Sequence, residues 1–158
     1  MFIQLSTILN AEQNPNSAIN IMRQKFILSQ SYINKQDLFS LIHQLGVKHN
    51  YRIETSQLYN LDDIDLYKDV SSEDTYFIGF YIIDETEFDE DWFEYKGNQY
   101  AITILITHDS EMLGELNGII REIMERYPEL IVTSEMFSGF YSLEDIKNGN
   151  VAPWLEVE

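Results

Sequence analysis

The sequence has no cysteine among its 158 residues. It can therefore form no disulfide framework, no thiolate metal site and no cysteine nucleophile, and this absence fits a reducing cytosol. No apolar run approaches the roughly 20 residues that a membrane-spanning helix needs. The segment from Met1 to Leu5 also lacks the basic region and long apolar stretch of a secretory signal. We expect a soluble protein of the cytoplasm.

Basic residues are also few: ten Lys and Arg stand against 27 Asp and Glu, for a formal net charge of -17. Binding to nucleic acid or anionic lipid depends on clustered Lys and Arg, which are scattered here, so we expect neither as a partner. The apolar share of 44%, with ten Tyr and nine Phe, argues against disorder. The length suits one domain that buries its own core.

Recognisable catalytic motifs are missing as well. The three histidines, His43, His49 and His108, show no metal-binding spacing, and His43 beside an apolar helical face favours a structural or surface role. The contiguous His108-Asp109-Ser110 is no triad, because triad side chains converge from separated positions and helix capping explains Asp109 and Ser110. No nucleophile elbow, glycine-rich phosphate loop or dinucleotide fingerprint occurs. We predict no catalytic residue, no metal and no cofactor, and therefore a protein that is not an enzyme.

The first half of the chain gives mixed structural signals. Met1 to Leu9 predicts a strand, and residues 10–16 around Pro15 predict a loop. The segment Ser17 to Leu28 has helical spacing of its apolar residues, which favours a helix, although its last three residues are equally consistent with a strand. Asn34 resembles the N-cap of a helix. The apolar face of this helix consists of Leu38, Leu41, Ile42 and Leu45, and we expect Gly46 to end the helix.

The next two segments differ in their patterns. Tyr51 to Leu58 alternates apolar and polar residues and predicts a strand. Asn60 to Asp74 predicts an acidic connection with a possible short helix that carries Ile64 and Tyr67.

The centre of the chain predicts sheet. Thr75 to Ile83 is nearly all aromatic or β-branched, which indicates a buried strand. Trp92 to Tyr95 and Gln99 to Thr107 flank Lys96-Gly97-Asn98, a hairpin turn. These three strands predict an antiparallel meander.

One long amphipathic helix follows, capped by Asp109 or Ser110 and stopped by Pro128. Its apolar positions are Met112, Leu113, Leu116, Ile119, Ile120, Ile123, Met124 and Tyr127. Gly114 and Gly118 cost this helix about 1 kcal/mol each relative to alanine, and tolerance explains them better than a close approach.

The end of the chain predicts two further elements. Leu130 to Thr133 predicts a strand, and Ser142 is expected to cap a short helix through Ile146 that Gly149 ends. Together the patterns predict a single α+β domain, with a mainly antiparallel sheet and a long amphipathic helix packed on it.

The carboxylates are concentrated in one region. Tyr51 to Glu94 contains fourteen against only Arg52 and Lys68, whereas the first fifty residues contain two acids and four bases. The densest run, from Asp84 to Glu94, interleaves acids with Phe88, Trp92 and Phe93.

This acidic run is consistent with three kinds of structure. The first is a calcium site, but the run lacks the residue order of an EF-hand calcium loop. The second is a solvated loop whose charge keeps sheet edges from pairing with other chains, and the third is a surface that captures a basic partner. Aromatic anchors within a charged rim are typical of binding hot spots, which favours a partner-binding surface. Its predicted residues are Asp84, Glu85, Glu87, Asp89, Glu90, Asp91, Trp92 and Glu94, with Asp62, Asp63 and Asp65 as a second, weaker patch.

In size, acidity and the acid-aromatic run from Asp84 to Glu94, the chain resembles the immunity proteins of bacterial contact-dependent-inhibition and polymorphic toxin systems. The resemblance implies a cognate toxin domain as partner, often a basic nuclease, neutralised by stoichiometric binding without turnover. Carboxylates then take the place of the phosphates that a cationic cleft holds.

Two other classes stay open. An acidic DNA mimic would distribute carboxylates along an elongated surface, which the nearly neutral first fifty residues disfavour. A small enzyme with dispersed catalytic residues is the third alternative.

Overall fold

A computed structural model describes residues 22–58, 61–88 and 92–149. The predicted strand Met1 to Leu9 and the loop at residues 10–16 lie outside this part of the chain. The strands are β1 (Met22–Ser29), β2 (Arg52–Leu58), β3 (Leu61–Asp69), β4 (Thr75–Ile82), β5 (Phe93–Tyr95), β6 (Asn98–Asp109), β7 (Ile131–Ser134) and β8 (Phe140–Ser142). The helices are α1 (Lys35–Lys48), α2 (Leu113–Arg126) and α3 (Leu143–Lys147), with a 3-10 turn at Ser110–Met112 before α2.

The strands form one antiparallel sheet in the order β2-β3-β4-β6-β1-β7-β8, and β5 pairs with β6 beside this path. This architecture confirms the predicted α+β class, the mainly antiparallel sheet and the long helix packed on it.

The hairpin turn is also confirmed. Lys96 and Gly97 both have positive φ, 50° and 79°, as a two-residue turn of the primed type requires. The strand order differs from a simple succession, because β4 pairs directly with β6 and β5 pairs only with the first residues of β6. The consecutive meander is formed by β2, β3 and β4.

The helix predicted over Ser17 to Leu28 is wrong for its described part, which is strand β1. This strand lies between β6 and β7, and its last six residues are buried. A strand covered on both faces has a continuous apolar run without alternation, so periodicity cannot distinguish it from a helix.

The acidic connection and short helix predicted over Asn60 to Asp74 are also wrong, because most of this segment is strand β3. Ile64 and Leu66 are fully buried, while Asp63 and Asp65, which alternate with them, are partly exposed. This alternation is typical of a strand with one face on the core. The sequence did not predict this strand because Asp has a low strand propensity.

Helix α1 begins as predicted but ends later. The Asn34 side chain accepts hydrogen bonds from the backbone N–H groups of Gln36 and Asp37 at 2.9 and 3.3 Å. Gly46 does not terminate the helix, which continues to Lys48. A Cβ atom at Gly46 would lie 2.7 Å from Leu66 Cδ2 and 2.9 Å from Ile53 Cδ1, so this glycine allows α1 to approach the sheet closely.

The sequence also predicts capping residues for α2 and α3, and the structure confirms only the cap of α3. Neither Asp109 nor Ser110 provides a side-chain cap for α2, so that prediction is wrong. The Asp109 carboxylate instead accepts a hydrogen bond from the Phe77 N–H of β4 at 2.9 Å. Helix α2 ends at Arg126, before Pro128. Ser142 caps α3 in a reciprocal capping box with Asp145, as the sequence predicts.

The two faces of the sheet bury different cores. The helix face packs β-sheet residues such as Ile64, Ile78 and Ile104 against the apolar sides of the three helices. The aromatic face carries a second cluster of buried residues: Phe26, Leu28, Tyr81, Ile83, Phe88, Tyr100, Ala101, Ile102, Leu105 and Ile131. Of the predicted acidic residues, Asp63 and Asp65 lie on this second face, and Asp84, Glu85 and Glu87 lie in the turn that follows β4.

Candidate functional site

The side chain of Asp84 holds the turn at residues 84–88 in place. Asp84 Oδ1 accepts hydrogen bonds from the Thr86 backbone N–H at 3.0 Å and the Thr86 hydroxyl at 3.2 Å. Its Oδ2 pairs with Lys35 Nζ at 3.2 Å. The hydrogen bond from Thr86, followed by that from Lys35, lowers the pKa of the Asp84 carboxyl. Asp84 therefore orders the turn and ties it to the start of α1.

The aromatic residues of the acidic run have different environments. Phe88 is 4% exposed and packs edge-on against Tyr32, with ring centroids 5.9 Å apart. Phe93 is half-buried, whereas Trp92 is 47% exposed. Phe88 thus belongs to the core of the aromatic face, whereas Trp92 lies at the surface.

The structure brings the two predicted acidic patches together around Tyr81. Asp63 on β3 pairs in register with Tyr81 on β4, on the aromatic face. The Tyr81 hydroxyl donates a hydrogen bond to Glu87 Oε1 at 3.3 Å. Burial, then Glu87, Asp63 and Asp84, raise the pKa of Tyr81 far above its usual value. Carboxylates from two separate segments therefore share one local field.

Asp65 extends this acidic cluster toward the sheet edge. It pairs in register with Glu54 on β2 and Gly79 on β4, and a Cβ atom on Gly79 would lie 2.8 Å from Asp65 Oδ1. Burial, and secondarily Glu54, raise the pKa of the Asp65 carboxyl. The absence of a side chain at Gly79 gives the Asp65 carboxylate room to lie against the sheet.

The remaining predicted residues divide by exposure. Glu85 and Glu94 are exposed, and Glu87 is partly buried by its contact with Tyr81. The predicted residues outside the described part of the chain are Asp89, Glu90 and Asp91, together with the side chain of Asp62.

Sequence reasoning missed a continuous series of aromatic rings on the same face. We call it the aromatic ribbon. Its rings, in order of contact, are Phe26, Phe137, Phe93, Phe140, Tyr95 and Tyr100. Successive ring centroids lie 5.0, 4.8, 6.4, 6.0 and 6.1 Å apart. The ribbon joins β1, the β7–β8 turn, β5, β8 and β6, so only the sheet order reveals it.

Two residues of the β7–β8 turn stand out in this ribbon. Phe137 has a φ of 52°, which is unfavourable for a bulky side chain, and its ring is stacked between Phe26 and Phe93 while 36% exposed. Its neighbour Met136 is 79% exposed. No sequence pattern distinguished either residue.

The helix side of the molecule contains a groove of about 330 Å³ between the end of α1 and one side of α2. Gly114 and Gly118 line it, and no atom lies within 4 Å of a Cβ atom built on either. Its polar rim includes His49, whose Nε2 lies 2.7 Å from Glu122 Oε2. The two glycines thus face open space, which agrees with the prediction that they are simply tolerated.

A buried pair of basic side chains lies on the two adjacent central strands β1 and β6. Lys25 and His108 are 1% and 0% exposed, with Lys25 Nζ 3.2 Å from His108 Nε2. His108 Nδ1 lies 2.8 Å from the Asp109 carbonyl oxygen, which can only accept, so Nδ1 carries the proton. Nε2 then accepts from the Lys25 ammonium. Burial, followed by the charge of Lys25, lowers the pKa of His108 to about 4.

Within the described ranges, no helix combines the length and apolar character needed to cross a bilayer. Comparison of the chain with protein-family models, with curated proteins and with solved structures finds no match.

Proposed function

We propose that this protein is a stoichiometric inhibitor of the immunity type, which binds and neutralises a cognate basic toxin domain, such as a nuclease, in the cytoplasm. The observation that carries the proposal is the convergence of the two acidic segments around Tyr81. Binding of this kind requires no turnover and no cofactor.

The arrangement of the acids supports a role in capture. Carboxylates placed close together repel each other, and this repulsion is relieved when a cationic surface approaches. A field of one sign also accelerates the encounter with an oppositely charged partner. Lys35 pairs with Asp84, while Glu85 and Glu94 have exposed side chains that a partner can reach.

The test begins with co-purification of the partner from the native host and its identification by mass spectrometry. Association and dissociation rates are then measured over a range of ionic strength. In the double variant Glu85→Lys, Glu94→Lys, we expect slower association and a weaker dependence on salt. Trp92→Ala should mainly accelerate dissociation, because Trp92 is exposed and its loss spares the core.

A matched control separates a local surface from net charge. Glu73→Lys, Glu125→Lys changes the net charge equally, at exposed positions in the β3–β4 turn and on α2. This control should leave association close to that of the unmodified protein. Equal effects of the two double variants, or none from either in a folded protein, would refute the assigned surface.

A further inference from the structure

A row of four cross-strand neighbours crosses the aromatic face of the sheet from β3 to β1. Asp65 pairs in register with Gly79, and Gly79 pairs with Thr107. Thr107 pairs in turn with Gln24. Gln24 lies two residues before Phe26, which is buried on the aromatic face, so its side chain projects from that face too. We call the four residues Asp65, Gly79, Thr107 and Gln24 the polar row.

The carboxamide of Gln24 is buried at one end of the polar row. Gln24 is 0% exposed, and within the described part of the chain neither its Nε2 nor its Oε1 has a hydrogen-bond partner. A buried polar group without a hydrogen bond destabilises the fold, and nearly all such groups in native proteins are paired. This carboxamide would therefore gain from a polar ligand on the aromatic face.

The other end of the polar row carries a negative charge. Asp65 Oδ1 lies 2.8 Å from the position of a Cβ atom on Gly79, so the carboxylate reaches over the glycine in the direction of Thr107. Burial, and then the neighbouring charge of Glu54, raise the pKa of the Asp65 carboxyl. A shift in this direction is expected where no cation stabilises the carboxylate.

The basic side chains of the neighbouring strands are bound elsewhere. Lys68 on β3 pairs with Glu115 of α2, on the opposite face of the sheet. Arg52 on β2 donates to Asp69 from Nε at 3.0 Å. Among the described residues, no basic side chain forms an ion pair with Asp65, so its charge is available to an external cation.

The chemistry of the polar row fits a compact donor of hydrogen bonds. Its acceptors are the Asp65 carboxylate, the Thr107 hydroxyl and the Gln24 carbonyl oxygen, and both Asp65 and Thr107 are partly exposed. Gly79 has no side chain and Thr107 a short one, which leaves space between the two ends of the row. An ammonium group is a compact charge with three N–H donors and no acceptor, whereas a guanidinium group is a broad planar fork.

We propose that the polar row binds one lysine ammonium group of the basic partner. Asp65 provides the ionic contact, and Thr107 and the Gln24 carbonyl oxygen accept further hydrogen bonds. This inference rests on the proposed function and deepens it, because it assigns one point of attachment within the acidic surface. The exposed acids accelerate the encounter, and the polar row holds a side chain of the bound partner.

The first test titrates n-butylammonium, an analogue of the lysine side chain, into the full chain at low salt. The backbone amide resonances of Gly79 and Thr107 should shift and saturate in NMR spectra. Tetramethylammonium has the same charge without N–H donors, so it should bind about tenfold more weakly. Asp65→Asn should weaken the binding of n-butylammonium by about tenfold.

Equal affinities of the two cations, or resonance shifts that spare the polar row, would overturn the inference. Neither result would decide the proposed function, which the association kinetics with the co-purified partner test separately. Unchanged binding of n-butylammonium by Asp65→Asn would also overturn the inference.

The second test replaces the unpaired carboxamide by an apolar side chain of similar length. Gln24→Met should raise the unfolding midpoint of the free protein by roughly 2–4 °C and weaken the binding of n-butylammonium. Thr103→Val is the matched control, because its buried hydroxyl also lacks a partner among the described residues but lies outside the polar row. This control should leave binding unchanged. A lower midpoint of Gln24→Met would show that the fold itself satisfies the carboxamide, and this result or unchanged binding would overturn the inference.

Discussion

At the scale of single residues, His108 makes stability depend on pH. Its pKa is lowered to about 4 in the folded protein, whereas an unfolded histidine titrates near its ordinary value of 6.5. Its contribution to stability is therefore complete above pH 6.5 and is lost as the pH falls toward 4, because the unfolded chain then binds the proton first. Protonation in the fold would place a second positive charge beside Lys25.

We expect His108 to account for a loss of about 3 kcal/mol between pH 7 and 4, from the difference between its two pKa values. In His108→Gln this part of the pH dependence should be missing, whatever the stability of the variant at neutral pH. Urea unfolding at several pH values measures both slopes. Asp65 and Asp109 also have raised pKa values, so the difference between the two proteins isolates His108. Parallel curves would show that folding leaves the pKa of His108 at its ordinary value.

Gly97 provides a second residue-scale prediction. Its φ of 79° is unfavourable for a β-branched residue, while no atom lies within 4 Å of a Cβ atom built there. Gly97→Val should therefore lower the free energy of unfolding by about 1–2 kcal/mol through backbone strain alone. Gly97→Asn should cost less, because Asn adopts this conformation more readily. Equal losses in thermal or urea unfolding would contradict a turn of the primed type.

At the scale of the elements, glycines in two helices have opposite surroundings. A Cβ atom at Gly46 would press on Leu66 and Ile53 of the sheet, whereas one at Gly118 would meet open space. Gly118→Ala should stabilise the protein by about 1 kcal/mol through helix propensity. Gly46→Ala should instead destabilise it, because overpacking a core costs about 1–3 kcal/mol.

Urea unfolding measures the change in stability of both variants. Gly114→Ala should behave like Gly118→Ala, because a Cβ atom at Gly114 also meets no neighbouring atom. Stabilisation by Gly46→Ala would mean that α1 does not pack closely on β2 and β3. The sequence could not distinguish these glycines, because the distance between a helix and a sheet is a property of the tertiary structure.

The elements that the sequence predicted correctly are those with local signals. Asn34 and Ser142 form their caps through residues two or three positions away, and the hairpin needs only Lys96 and Gly97. Strand β1 was missed because burial on both faces removes alternation. Asp109 was misassigned because its hydrogen-bond partner, Phe77, lies 32 residues earlier in the chain.

In the candidate site, too, the sequence predicts local features but not contacts between distant segments. Composition alone located the acids at residues 62–65 and 84–94, but only the pairing of β3 with β4 places Asp63 beside Tyr81. The aromatic ribbon draws its rings from five elements, so no sequence window contains it.

At the scale of the whole molecule, the net charge of -17 opposes folding. Like charges repel more strongly in the compact state, and salt screens this repulsion over about 10 Å at 0.1 M. A surface retained for binding would therefore reduce stability, and removal of its acids should stabilise the fold.

We expect added sodium chloride to raise the unfolding midpoint of the unmodified protein. At low salt, Glu85→Lys, Glu94→Lys should be more stable by roughly 1 kcal/mol, or about 2–4 °C for a chain of this size, and should gain less from salt. Glu73→Lys, Glu125→Lys should gain less stability from the same change in charge, because Glu125 Oε1 lies 3.1 Å from Arg121 Nε and the substitution loses this ion pair. Calorimetric scans at low and high salt measure all three proteins. A loss of stability on reversal of Glu85 and Glu94 would instead show that these acids serve the fold, and the case for a binding surface would then rest on the acids around Tyr81 and on the exposed Trp92.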